Sequence, residues 1–475
     1  MSWPNRTLSY HLVLDREMKS KSDYFLLPFE IGAGVQELEI NYSYERGSEG
    51  DPNVIDLGLF GPGETAFLKA KSFRGWSGSN KSAVCVSETN ATPGYYHGKI
   101  EAGKWSVILG LATISSQGCP CDVTVTTRNE IKGRGTVRQT TRARVPTVGV
   151  GETEAWLRGD LHVHSHHSDG SLSVELVAGE ALRRGLDFVA VTDHNTTSQA
   201  REVACLREAG LIVMVGEELT TCHGHANVWN TQDWLDFRFE TKDDAEAVIA
   251  EAHRRRLLFS VNHPNSLYPW EFKDATGFDC IEVWCGLWAR LNFESLEWWD
   301  ELTRDGLRVI GVGGSDFHSP EPPETRDIFS IGSPTTWVLS TGKTAESIMD
   351  GIRAGRVFVS RAPGGPRLSL RAKTSRGVNW MGDHVCCTKG EDIEICVQAS
   401  SARGLGLRVL SSSGILKSAK TDSTESSITL RTKVDSPDFL RAELVEAEGD
   451  WASAPPSDLD MASITNHLYV FPESD

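Results

Sequence analysis

The sequence predicts an α/β protein whose centre is a parallel β/α barrel or a close relative, flanked by an N-terminal β-sandwich-like domain and a small C-terminal β domain. Three observations lead there. Between residues 157 and 365, short apolar runs alternate with helical periodicity about seven times, the pattern of strands joined by crossover helices. Residues 1–127 and 366–475 instead show short alternating runs broken by turn residues, as strands of β domains do. Histidines and carboxylates recur just past the central apolar runs, where repeating β–α proteins gather their catalytic groups. A chain of 475 residues exceeds one ordinary core and suits about three domains.

Taken in order, Leu26-Leu27-Pro28-Phe29, then Val35, Leu38, Ile40 and Tyr42, open the N-terminal domain, and Val54–Phe60 and Trp105–Leu111 continue it. Residues 128–156 form the expected linker, basic, Thr/Arg-rich and poor in large apolar side chains. Ser173 is placed to cap a helix through Arg184, with Val174, Val177, Ala181 and Leu182 on one face. Gly185 stops it, and Phe188-Val189-Ala190-Val191 follows as a strand buried on both faces. The unit recurs as helix Ala200–Glu208 with strand Leu211–Val215, and as helix Asp244–Arg255 with strand Leu257–Val261. A short strand Ile281–Trp284 comes next. Helix Phe293–Arg304 then leads to Leu307–Val312, and helix Ala345–Ala354 to Arg356–Val359. A first strand just before His162 completes the set. Beyond Pro366, Ile393–Val397, Leu405–Leu410, Ser427–Leu430 and Leu440–Leu444 read as short strands.

Composition narrows the function. Hydrophobic residues at 39% and charged residues at 24% are ordinary for a globular chain. A formal charge of −17 disfavours nucleic acid and anionic membrane, because the mean field repels phosphate backbones. A small phosphorylated substrate stays open, since bound cations dominate the local field at a metal site. The first thirty residues include Asp15, Arg16, Glu17, Lys19 and Lys21 and hold no long apolar stretch, so neither a signal peptide nor a membrane span is expected and the cytoplasm is. Ten cysteines without a zinc-ribbon pair fit reduced, mostly buried thiols.

In this register the candidate ligands fall at strand ends. His162 and His164 follow the first strand, His194 the second, Glu218 the third and His263 the fourth, while Asp316 and His318 follow the sixth. Asp169 and His225 complete the series. Alternate residues of an extended segment point the same way, so His162-x-His164 and Asp316-x-His318 can each act as a pincer. Imidazole with carboxylate is the ligand set of zinc, manganese and iron sites. About nine such groups exceed the needs of one ion and suit two or three with bridging carboxylates, holding a hydroxide as nucleophile. Only one of the adjacent Glu217 and Glu218 can point inward, and His223 and His225 pose the same choice. Asp160 and Asp193 are expected to orient imidazoles, and His166 and His167 to be solvated loop residues. Glu282 reads as a further ligand, a substrate contact or a buried structural carboxylate. Arg356 and Ser360 lie where an anion-binding arginine would serve, an interdomain salt bridge being the alternative. Trp284 and Trp288 are candidate cleft walls; Trp298 and Trp299 read as helix core.

The motifs Gly159-Asp160-Leu161-His162-Val163-His164-Ser165, Ser168-Asp169-Gly170, Thr192-Asp193-His194-Asn195, Gly216-x-Glu218-x-Thr220, Gly224-His225, Asn262-His263-Pro264 and Gly314-Ser315-Asp316-x-His318 resemble the PHP (polymerase and histidinol phosphatase) superfamily. Within it the chain is most similar to the CehA/McbA-type metallohydrolases, named for a carbaryl-hydrolysing member. That likeness extends to Phe73-Arg74-Gly75-Trp76-Ser77-Gly78, Ala91-Thr92-Pro93-Gly94-Tyr95, Gly103-Lys104-Trp105 and Ile464-Thr465-Asn466, although His467 stands where relatives carry proline. The resemblance implies a distorted seven-stranded barrel and a trinuclear site. It selects Glu218 and His225 from their pairs. It groups His162, His164, Glu218 and Asp316 on one ion, Glu218, His225 and His263 on a second, and Asp169, His194 and His318 on a third.

The expected function is therefore a metal-dependent hydrolase with two or three divalent ions (Mn, Zn or Fe), in which Glu218, Asp316 and Arg356 carry the chemistry. The superfamily favours a phosphoesterase acting on a small anionic substrate; the CehA likeness favours a carboxyl or carbamate aryl ester. A non-catalytic metal- or ligand-binding protein is the alternative of another class. The flanking β domains are candidates for binding carbohydrate, shaping the cleft or forming a homodimer.

Overall fold

The computed structural model describes residues 3, 5–131, 154–206, 210–320, 330–436 and 438–473. Most of the expected linker, residues 132–153, lies outside the described residues.

The central unit begins as the periodicity predicts. β1 (Ala155–Val163), β2 (Phe188–Val191) and β3 (Ile212–Thr221) pair in parallel, with α1 (Val174–Arg183) and α2 (Ala200–Cys205) as crossovers. Ser173 caps α1 by accepting the Leu176 N–H, and Val174, Val177, Ala178 and Ala181 form its buried face. The direction then reverses. Strand β3 turns directly into β4 (Gly224–Trp229), which runs antiparallel both to it and to β5 (Phe259–Val261). Between β4 and β5 lies α3 (Lys242–Arg254), opened by a Thr241/Asp244 capping box. Parallel order resumes through β5, β6 (Cys280–Cys285) and β7 (Ile310–Gly314), with α4 (Asn292–Arg304) between the last two. β8 (Thr335–Ser340), α5 (Ala345–Arg353) and β9 (Val357–Ser360) follow.

The seven strands β1 to β7 roll so that the chain past β7 returns to β1, where Val163 bridges Phe317 and the His164 N–H donates to Phe317 O at 2.9 Å. A distorted seven-stranded β/α barrel was expected; the seven strands seen include β4, which was not expected, while the expected strand Arg356–Val359 lies outside them as β9, paired with β8. A closed ladder needs both edges of β1, but over Ala155–Gly159 the second edge is taken by β8, antiparallel. β8 pairs with β9, and β9 with Met461–Thr465, so one sheet runs from the central unit into strands of the C-terminal region across the boundary expected at 365/366. The protein is mixed α/β, rich in strands and with few helices.

The N-terminal region forms two four-stranded antiparallel sheets. One orders Arg6–Leu14, Cys119–Arg128, Glu37–Tyr44 and Ala83–Ser87; the other orders Tyr24–Ile31, Gly103–Thr113, Val54–Phe60 and Phe73–Gly78. Leu38, Ile40, Leu57, Trp105, Val107 and Val123 pack between them in a common core. This sandwich is fastened to the central unit by aromatics, with Phe73 stacked on Trp234 at 4.1 Å and Trp76 edge-on to Phe237 at 4.8 Å. In the C-terminal region a further sheet orders Gly377–Trp380, Arg367–Thr374, Asp392–Ser400 and Glu425–Lys433. All ten cysteines are unpaired and five are buried. Among the described residues no helix is long and apolar enough to cross a membrane.

Candidate metal centre

His162 and His164 sit at the end of β1 and reach the same two carboxylates. Their Nε2 atoms lie 3.3 and 3.1 Å from Asp316 Oδ1, and 3.3 and 3.4 Å from the Glu218 oxygens. Asp316 arrives because the segment past β7 docks on β1, its N–H donating to His162 O at 2.9 Å. Glu218, on β3, is the point of convergence. Oε1 is 3.3 Å from His225 Nδ1 and 3.4 Å from His263 Nε2, while Oε2 is 2.7 Å from His194 Nδ1. Asn262 Nδ2 steadies it by donating to Oε1 at 3.0 Å. Asp169 Oδ1 joins His194 Nε2 (3.5 Å) to His318 Nε2 (3.3 Å). All nine candidate ligands therefore meet in one cluster. Period-two alternation turns Glu217 to the other face of β3, where it accepts the Leu235 N–H at 2.7 Å. His223 points away as well, held by Asp23 and Glu271 at 2.9 and 2.7 Å.

The donors fit divalent ions. Around an ion with bonds of about 2.0–2.2 Å, neighbouring ligand atoms stand roughly 3.0–3.5 Å apart, the range of most separations here. His162 Nε2, Glu218 Oε2 and His263 Nδ1 are buried without a hydrogen-bond partner, which in a protein interior calls for an ion or water. Burial opposes charge on Glu218 and Asp316, yet the surrounding imidazoles hold both carboxyls below the usual range. Burial and the neighbouring His194 and His318 push His164 down to about 4, the neutral form a metal needs. His194 is carried up to about 9, against burial, by Glu218 and Asp169. Asn195, His263 and Asp316, on the loops that bear the ligands, adopt φ of 55°, 30° and 53°, a left-handed conformation uncommon for residues other than glycine.

The supporting residues differ in part from expectation. Glu282 accepts from His162 Nδ1–H at 3.1 Å and from the His263 backbone N–H at 3.1 Å, which aims His162 Nε2 at the cluster. Gly314 allows this contact, because a Cβ there would lie 2.3 Å from His162 Cβ and 2.7 Å from Glu282 Oε1. Asp160 orients backbone rather than an imidazole, while Asp193 reaches one only through Ser168, whose hydroxyl lies 3.5 Å from His164 Nδ1. Asp160 accepts from the N–H groups of His162, Ser315 and Gly332, and Asp193 gathers Ser165 and Ser168. Trp284 and Trp288 are buried core, not cleft walls. Arg356 is not brought to the cluster. It precedes β9 at the end paired with Val338 and Leu157, opposite to the ligand-bearing ends, and donates to Met381 O and Asp383 at 2.8 Å. The salt-bridge alternative is what forms, while Ser360 is buried at the other end of the strand.

Other contributors escaped the sequence reading. From the sandwich, Asn80 and Lys81 both donate to Ser168 O, at 2.9 and 2.7 Å, and so fix the loop that carries Asp169. The Tyr268 ring stands 5.2 Å from that of His263 and 6.5 Å from that of His225, and Tyr268 and Leu267 are both more than half exposed at the mouth. Its place shortly after Asn262-His263-Pro264 was the available signal.

Fold and geometry together define an α/β domain with a histidine–carboxylate centre at its strand ends. Comparison with known families is consistent with that class: residues 160–268 match the model of the PHP domain. A stretch of 66 residues is 32% identical to the DNA polymerase/3′-5′ exonuclease PolX of Bacillus subtilis, covering 14% of this chain and 11% of that protein. The chain therefore spans about a tenth of the length of that curated relative. Among solved structures, a two-domain protein from Bacteroides vulgatus named for a PHP-like metal-dependent phosphoesterase aligns over 69% of this chain and 99% of its own, at 16% identity and a TM-score of 0.38. An amidohydrolase from Chromobacterium violaceum aligns over 36% and 89%, at 18% identity and a TM-score of 0.26.

Proposed function

We propose that the protein is a metal-dependent hydrolase of the PHP superfamily, of the CehA/McbA type, and that it acts as a phosphoesterase on a small phosphorylated substrate. Two or three divalent ions would be held by His162, His164, Asp169, His194, Glu218, His225, His263, Asp316 and His318. The observation that carries the reading is the convergence of five imidazoles on the one buried carboxylate of Glu218. Three mutually close sets support the grouping that the resemblance implies: His162, His164 and Asp316; Glu218, His225 and His263; and His164, Asp169, His194 and His318.

When bound, the ions supply an activated water and the positive charge that stabilises an in-line displacement at phosphorus. The chain's own part is positional. Glu218 and Asp316 stay ionised and set the spacing of the centre. Glu282 fixes the ring of His162, and the Asn80–Lys81 turn holds the Asp169 loop. A second reading, hydrolysis of a carboxyl or carbamate aryl ester, is favoured by the exposed Tyr268 ring, an apolar lip beside His263 suited to an aryl group.

The test is steady-state turnover of a chromogenic phosphodiester, a phosphomonoester and a naphthyl carbamate by chelator-stripped protein resupplied with Mn²⁺ or Zn²⁺. The expected result is metal-dependent turnover with the highest kcat/KM on a phosphoester, lost in His162→Ala and Asp316→Asn. Preference for the carbamate selects the second reading. Absence of both turnover and bound metal would leave the non-catalytic alternative.

A further inference from the structure

A second set of metal-ligating side chains lies on the loop between His164 and Asp169, outside the Glu218 cluster. Nε2 of His166 and Nε2 of His167 stand 3.3 and 3.2 Å from a single oxygen, Glu202 Oε1, on α2. The three ligand atoms lie within 4.8 Å of one another. Around tetrahedral zinc with bonds of about 2.0–2.1 Å, neighbouring ligand atoms are roughly 3.3–3.4 Å apart. The observed separations from Glu202 are close to that edge length.

Hydrogen bonding alone leaves this cluster unsatisfied. His167 is only 5% exposed, and its Nε2 is buried without a hydrogen-bond partner, although Glu202 Oε1 stands 3.2 Å away. The other ring nitrogen has partners of its own. Nδ1 is 2.7 Å from Ser198 Oγ, and the Gly94 N–H is shared between that oxygen at 3.1 Å and Nδ1 at 3.3 Å. In the tautomer whose Nδ1–H donates to Ser198, Nε2 carries the lone pair that a metal takes, with Nδ1 supported as is usual for a metal-bound imidazole. His166 and Glu202 are partly exposed, at 35% and 42%, so one side remains open to water as a fourth ligand.

We propose that His166, His167 and Glu202 form a separate mononuclear divalent-cation site, with zinc as the ion its two imidazoles and one carboxylate favour. It stands at the seam between the sandwich and the central unit. Gly94 O accepts from Thr196 Oγ1 at 3.0 Å, and the Tyr96 hydroxyl pairs with Thr197 Oγ1 at 2.8 Å. A cation here ties α2 to the loop bearing His164 and Asp169, and holds that loop against Gly94, where a Cβ would meet His167 O at 2.7 Å.

The test uses the full chain, stripped by chelator and reloaded with Zn²⁺. Zinc per chain is counted by elemental analysis for wild type, Glu202→Gln and His166→Asn, and zinc is located by anomalous diffraction in wild-type crystals. The expected result is one zinc fewer in each variant, with an anomalous peak between the three side chains in wild type. Asp316→Asn should lose zinc from the Glu218 cluster and keep this peak, so the peak is informative even if no hydrolytic activity is found. No peak at a zinc concentration that fills the Glu218 cluster, or a zinc count unchanged in both variants, overturns the proposal.

Discussion

Glu282→Gln separates a residue that aims a ligand from one that is a ligand. The carboxylate accepts from His162 Nδ1–H at 3.1 Å and from the His263 N–H at 3.1 Å, both fully buried. Hydrogen bonds to a charged acceptor contribute about 1.5–3 kcal/mol and neutral ones about 0.5–1.5. Replacing the charge on the His162 side therefore costs about 1.5 kcal/mol, roughly tenfold in an equilibrium constant. The amide's other end turns an NH2 group toward the His263 N–H, a donor against a donor, which adds to the loss. Together these reach the 10–100-fold weakening of metal affinity usual for an outer support. The assay is turnover against free Mn²⁺, paired with competition against a chromogenic chelator. The activation curve should move to higher metal by about 10–100-fold, with kcat recovered at saturation and the metal count unchanged. An unmoved curve refutes the orienting role. A metal count lower by one ion makes Glu282 itself a ligand and refutes it in another way.

The remaining predictions concern packing and pH. Gly314→Ala places a methyl 2.3 Å from His162 Cβ; overpacking of about 1–3 kcal/mol and a displaced His162 should abolish turnover, and wild-type activity would contradict the geometry. Phe237→Ala removes the ring that meets Tyr24, Phe73 and Trp76 across the sandwich seam and should cost about 3–5 kcal/mol in urea unfolding. His467 stacks on Trp299 at 3.7 Å, with Asp300 and Thr303 each at 3.0 Å, and burial holds it down at about 4 despite Asp300. The unfolded chain then binds a proton more tightly, so stability should fall as pH drops from about 6.5 to about 4, by up to roughly 3 kcal/mol. His467→Phe should flatten that part of the pH–stability curve.

Helices were the most legible elements. Ser173 caps α1 as expected, and α1, α3, α4 and α5 lie within a residue or two of expectation; Thr241 and Thr344 cap α3 and α5 in the same way, signals the sequence reading did not use. The helix expected over Ala200–Glu208 is described only to Cys205, and part of its end falls outside the described residues. The gathering of ligands was legible because strand ends concentrate short-range signals into one place. Strand direction was not. Gly224–Trp229 and Thr335–Ser340 were not expected as strands at all, and nothing in them distinguishes a parallel from an antiparallel partner when both faces are buried. Arg356 was misplaced for a related reason: a residue beside a strand can lie at either end of the sheet, and β9 runs parallel to β1, which puts its start at the far end from His162. Lys81 escaped because its role depends on a contact with Ser168, distant in sequence, whereas Tyr268 lies shortly after His263 and its local signal was passed over.

A rolled sheet that lacks a closing ladder needs another device to hold its first and last strands in register, and Asp160 supplies it. One carboxylate accepts from His162 N–H at 3.1 Å, Ser315 N–H at 3.0 Å and Gly332 N–H at 2.6 Å. It thereby fixes the end of β1, the loop beyond β7 and the segment leading into β8. Burial pushes its carboxyl up to about 6, and these donors oppose that rise, which leaves it charged at neutral pH. One partner is His162 itself and another, Ser315, adjoins Asp316, the pair whose separation sets one corner of the cluster. Fold and site therefore share a single constraint. β8 on the edge of β1 leads in from Gly332, which Asp160 holds, while Asp316 N–H to His162 O and His164 N–H to Phe317 O, each at 2.9 Å, tie the end of β1 to the ligand loop beyond β7.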